Sequence, residues 1–143
     1  MCKCLYFQKI CVTILILISK GRLSILEILQ NKTNWNDLNL RSKTKEFLNF
    51  VVNQNYDNEI KYLVLFGSEI KCSTNIKSDI DIAVITEKSL DIKKRVHLHE
   101  IFDSFGEWLE YQLIYTTVEN LKTEHKLNVN FSINKGVILY ERK

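Results

Sequence analysis

The sequence predicts an α/β domain, a small mixed sheet with helices mainly on one face. Three observations predict it. Two short apolar runs, Leu63 to Phe66 and Ile80 to Ile85, have the length and β-branched content of strands and are bounded by turn residues. Segments with apolar residues three and four apart stand on either side of this pair, at 42–54 and 89–105. Further strand-like runs at 110–116 and 137–140 complete a chain in which strands and helices alternate.

A length of 143 residues argues for one domain with a real core. Hydrophobic residues make up 45% and charged residues 26%, as in an ordinary globular protein. Twenty basic residues against seventeen acidic ones leave a net charge of +3, with no long run of one sign. That is too weak a bias to argue for nucleic acid as a partner. Of the four cysteines, Cys2, Cys4 and Cys11 crowd the N-terminus without a histidine nearby and Cys72 stands alone. They lack the paired spacing of a zinc site and read as reduced thiols of a cytosolic protein. His97 and His99, two apart on a predicted helix, face nearly opposite ways, and His125 is isolated.

Taken in order, residues 1–20 place Lys3 and Lys9 before an apolar run from Ile10 to Ile18. No small-residue cleavage site follows, and the run falls well short of the ~20 residues a membrane-crossing helix needs. The segment either packs on the domain or extends it, and membrane contact is not expected. After Gly21, Leu23, Leu26 and either Ile25 or Leu29 fit a short amphipathic helix, and the polar stretch 31–42 reads as a linker. The expected division is therefore an extension over 1–42, whose role the sequence does not define, and a domain over 43–143. Ser42 is a candidate N-cap for a helix through Gln54, with Phe47, Phe50, Val51 and Gln54 on one stripe. Ser89 can cap a second helix to about Phe105, its apolar stripe made of Val96, Ile101, Phe102 and Phe105 and its solvated face of Lys93, Lys94 and Arg95. A strand from Glu110 to Thr116 leads into Thr116-x-x-Glu119, a capping box for a last helix closed by Asn134-Lys135-Gly136. Val137 to Tyr140 ends the fold as a strand or an extended tail.

The chemistry concentrates between the two central strands. The first ends in Gly67-Ser68, ten residues follow, and Asp79-Ile80-Asp81 opens the second. Strand side chains alternate between faces, so Asp79 and Asp81 project together while Ile80 and Ile82 enter the core. Two such carboxylates repel each other and raise each other's pKa unless a cation sits between them. A hard divalent ion such as Mg²⁺, with oxygen ligands and substrate phosphates in its shell, is the natural resident. Gly67 permits a sharp turn and close approach, and the turn amides with the Ser68 hydroxyl suit an anion. A triphosphate fits between the two halves, the layout that phosphoryl or nucleotidyl transfer requires.

Gly67-Ser68, ten residues and Asp79-Ile80-Asp81 resemble the signature of the DNA polymerase beta-type nucleotidyltransferase superfamily. In particular the chain resembles the minimal nucleotidyltransferases that serve as antitoxins of HEPN-domain toxins, over about residues 43 to 143. Chance would produce that spacing on the order of once in several hundred chains. The resemblance implies a palm-like fold, Mg²⁺ on Asp79 and Asp81, ATP phosphates on Gly67 and Ser68, and AMP transfer to a tyrosine of a HEPN partner. The match departs in two places. Family members carry a third carboxylate on the strand at 110–116, and by register its position here is Gln112, which brings no charge and cannot act as a base. Glu110, two residues earlier on the same face, is the candidate substitute. After Gly-Ser the family has basic residues. Here Glu69 and Lys71 stand, of which Lys71 fits a phosphate contact and Glu69 sets a negative charge close to one.

The expected function is a metal-dependent nucleotidyltransferase moving AMP from ATP to a protein hydroxyl, cytoplasmic, with Asp79, Asp81, and Gln112 or Glu110 at the reacting end. A binding module of the same fold, which neutralises its partner by contact with its catalytic face decayed, is the alternative that Gln112 and Glu69 favour.

Overall fold

The computed structural model describes Leu29 and residues 31–71, 79–106, 109–123 and 128–143. The apolar run at 10–18, the predicted helix ending near Leu29 and all four cysteines lie outside them, Leu29 itself excepted. Four strands, β1 (Ile60–Phe66), β2 (Ile80–Thr86), β3 (Tyr111–Thr117) and β4 (Val137–Glu141), form one sheet in the order β3-β2-β1-β4. β1 runs antiparallel to both β2 and β4, whereas β2 and β3 are parallel. The sheet is therefore mixed, as expected.

The two central strands are buried on both faces, which is why their sequences read as near-continuous apolar runs. One face carries Leu63 and Leu65 of β1 with Ile80, Ile82 and Val84 of β2. A register shift between Ile60 and Tyr62 brings Ile60 onto that face too. Against it pack α1 (Ser42–Val52) and α2 (Ile92–Asp103), through Phe47, Leu48 and Val51 and through Leu98 and Phe102. Phe47 lies edge-on to Phe102 at 5.8 Å and stacks on Tyr111 of β3 at 5.6 Å, so aromatic rings join both helices to the sheet.

The other face carries Val64, Phe66, Ala83 and Ile85 and is covered by α3 (Val118–Thr123), α4 (Asn128–Asn134) and Leu29. The longer helices thus lie on one face, and two short ones cover part of the second. Gly136 lets α4 turn tightly into β4, since a Cβ there would stand 2.5 Å from Val64 Cγ1 and 2.6 Å from the Leu65 carbonyl oxygen. Among the described residues no helix is long and apolar enough to cross a membrane.

Several local expectations are corrected. Ser42 is the first helical residue of α1 rather than its cap; Arg41 occupies the cap position and makes no side-chain capping bond. Asp91, not Ser89, caps α2, accepting from the Lys94 amide at 2.9 Å. Val96 is 49% exposed, because at about 100° per residue it lies far round the helix from Phe102. The buried line runs through Leu98 and Phe102, with Ile101 and Phe105 beside it. Arg95 leaves the solvated face, its guanidinium 4.8 Å over the Tyr115 ring. Thr117, rather than Thr116, caps the helix after β3, its Oγ1 accepting from the Asn120 amide. The last helical stretch is described over Val118–Thr123 and Asn128–Asn134. The polar stretch read as a linker contributes Trp35 and Leu40 to the main core.

Candidate functional site

β1 ends at Phe66, whose place in the sheet is opposite Asp81 of β2. Gly67 then takes φ +83°, a left-handed conformation that only glycine adopts without strain. The chain continues as a short 3-10 turn over Ser68–Lys71, with Ser68 exposed. Close approach reinforces the choice of glycine: a Cβ on Gly67 would overlap Asp81 Oδ2 and stand 3.1 Å from Asp81 Cγ. The Asp81 carboxylate therefore lies directly over the glycine bend.

Ile80 and Ile82 lie fully inside the core, so Asp81 between them projects to the other side of β2, and Asp79 stands just before the strand. Asp79 is exposed and Asp81 half-buried. Burial, and then the negative charge of Asp79, push the Asp81 pKa above its ordinary value. On β3, Gln112 sits beside Asp81 in register and is exposed. Glu110 lies just before β3, and its carbonyl accepts the Ile80 amide at 2.9 Å, fixing where β2 begins. Among the described residues no three His, Cys, Asp or Glu side chains gather closely enough to hold a metal.

Glu69 behaves differently from what its position suggests. Its side chain is only 8% exposed and forms an ion pair with Arg41, while the Thr44 hydroxyl donates to the same oxygen at 3.5 Å. The carboxylate is drawn to the start of α1 instead of lying bare beside an anion. Arg41 precedes Glu69 by 28 residues in a segment without periodicity, so no local pattern marks the pairing. The Lys71 side chain, the expected phosphate contact, lies outside the described residues. His97 approaches Glu100 and His99 stacks on Tyr111, so neither histidine joins the site.

Residues 46–143 match the family described as polymerase beta, nucleotidyltransferase. The chain belongs to that family. A nucleotidyltransferase of this family shares its fold, and the mixed sheet with flanking helices is that fold. No curated protein matches the chain. A crystal structure of a mutant toxin–antitoxin complex, MntA–HpeT, is similar at 20% identity and a TM-score of 0.43, over 71% of this chain and 72% of that one.

The donor set of this nucleotidyltransferase suits a hard divalent cation. Asp79, Asp81 and the Gln112 amide offer oxygen only, and two carboxylates without a third leave room for substrate phosphates in the coordination shell.

Proposed function

We propose that this chain transfers AMP from ATP onto a hydroxyl of a partner protein in the cytoplasm, and that the partner is a HEPN-type toxin held in check by the modification. The observation that carries the reading is the Asp81 carboxylate seated over Gly67, which brings an acidic side chain against the glycine bend. Family membership supports nucleotidyl transfer as the reaction class.

In this reading the amides of the turn after Gly67 and the Ser68 hydroxyl hold the phosphate tail and set its direction. Asp79 and Asp81 would hold Mg²⁺, which neutralises charge developing on the triphosphate during transfer. The acceptor hydroxyl gives up its proton to water, its oxygen bonds to the α-phosphorus, and the bond to the leaving pyrophosphate breaks. Asp81 is fixed by β2 on both sides of it, and Asp79 is the more exposed of the pair. Gln112 reaches the same region as a neutral acceptor and donor, suited to orienting an oxygen rather than to taking a proton.

A second reading keeps the fold and drops the chemistry. It rests on Gln112 in register with Asp81, where a carboxylate would complete the acidic set. Intact-mass measurement of the copurified partner after incubation with the chain, Mg²⁺ and ATP separates the two. One or more added AMP groups support transfer; a stable complex with unchanged mass supports neutralisation by contact. In the transfer reading, Asp79→Ala with Asp81→Ala is expected to abolish calorimetric MgATP binding, and binding as tight as wild type would overturn the metal assignment.

A further inference from the structure

The 3-10 turn that presents Ser68 is four residues long and has little stability of its own. It is held at one end by Gly67 against Asp81 and in its middle by Glu69 and Ile70. Ile70 packs against both hydrophobic cores. Glu69 is the feature that sequence chemistry does not account for, because a carboxylate beside a phosphate-binding turn opposes the ligand.

Three facts change its meaning. Arg41 forms an ion pair with it, although the two are far apart in the chain. Thr44, fully buried, donates its hydroxyl to the same carboxylate oxygen. Arg41 is also the N-cap residue of α1 and supplies no side-chain cap, so the start of this eleven-residue helix receives an anion from across the fold. A nearly buried carboxylate with two donors is costly to unpair, since removing one partner leaves a desolvated charge behind.

We infer that Arg41, Glu69 and Thr44 form a latch that fixes the phosphate-binding turn to α1 and cancels the charge that Glu69 would otherwise set against the bound triphosphate. All three are positioning residues that act through the turn amides and Ser68. The inference rests on the nucleotide site proposed above. It assigns a function to α1 that its packing does not reveal: the helix start serves as the anchor of the loop.

The two effects can be separated by substitution. Arg41→Ala leaves Glu69 charged with only the Thr44 hydroxyl as donor, so MgATP dissociation constants rise about tenfold. Arg41→Lys keeps the charge and recovers most of the affinity. Arg41→Ala combined with Glu69→Gln removes both charges and binds MgATP more tightly than Arg41→Ala alone, a sign of coupling that a merely structural loss would not give. Hydrogen exchange of the Ser68–Lys71 amides, measured without nucleotide, is expected to quicken about tenfold in Arg41→Ala while the β1 and β2 amides stay protected. If the wild-type chain binds no MgATP, the nucleotide site fails and the latch's part in it fails with it. If the wild type binds, yet Arg41→Ala binds as tightly and protects the turn equally, the latch alone is overturned.

Discussion

Gly67→Ala isolates the contact on which the candidate site depends. Two costs follow from the structure. The left-handed φ of +83° costs an L-residue about 1–2 kcal/mol, whatever the space around it. The added methyl also overlaps Asp81 Oδ2 and lies 3.1 Å from Cγ and 3.3 Å from Cβ of the same side chain. Asp81 is short and anchored in a central strand, so its carboxylate must swing away from the bend. Strain of this size lowers the melting temperature by about 4–8 °C, leaving the domain folded. Displacing the carboxylate is expected to weaken MgATP binding by about 10- to 100-fold, the range seen when a ligand's support is removed. Gly106→Ala is the control. Gly106 has nearly the same φ, +78°, but a Cβ there meets nothing nearer than the Ser104 carbonyl oxygen at 3.9 Å. It should show a similar melting shift with binding unchanged. Calorimetric titration and thermal unfolding of both variants check this. Binding by Gly67→Ala within threefold of wild type, or an equal loss in Gly106→Ala, would refute the reasoning.

The remaining predictions concern charge and core. Asp81 has a raised pKa, so the folded apo chain holds its proton more tightly than the unfolded chain; this favours folding below the unfolded value near 4 and is lost as pH rises through the folded value. Asp81→Asn is therefore expected to raise the melting temperature at pH 7 and to leave it unchanged near pH 3, as read by calorimetry at the two values, while abolishing MgATP binding. Gln112→Asp sets a third carboxylate beside Asp81 by register. It should tighten Mg²⁺ binding in the presence of ATP about tenfold and, without metal, cost about 0.5–1 kcal/mol of stability from like charges on neighbouring strands. Phe47→Ala empties the ring cluster shared by α1, α2 and β3 and is expected to cost about 3–5 kcal/mol, seen as a lower urea midpoint at unchanged slope.

The site was legible in the sequence where local geometry governs it. Strand alternation alone places Asp79 and Asp81 on one side and Ile80 and Ile82 on the other, and a glycine after an apolar run marks a bend. The strands were legible too, because a central strand buried on both faces must be apolar throughout. Helix caps were less so: Ser42 and Ser89 have the chemistry of caps, but the positions fell to Arg41 and Asp91. The difference is one or two residues, set by how each helix had to rotate to bury Phe47 or Phe102. Val96 was misplaced for the same reason.

Periodicity and spacing, which depend only on the chain's own geometry, determined the sheet's strands, the acidic pair and the bend. Pairings between distant segments belong to the tertiary structure alone. It decided that Asp81 rests on Gly67, that Gln112 stands beside Asp81 in register, that Trp35 and Leu40 enter the core, and that Glu69 turns to Arg41. The physical reason is that such contacts arise from how whole elements dock, and docking is chosen by the summed burial of both faces of the sheet.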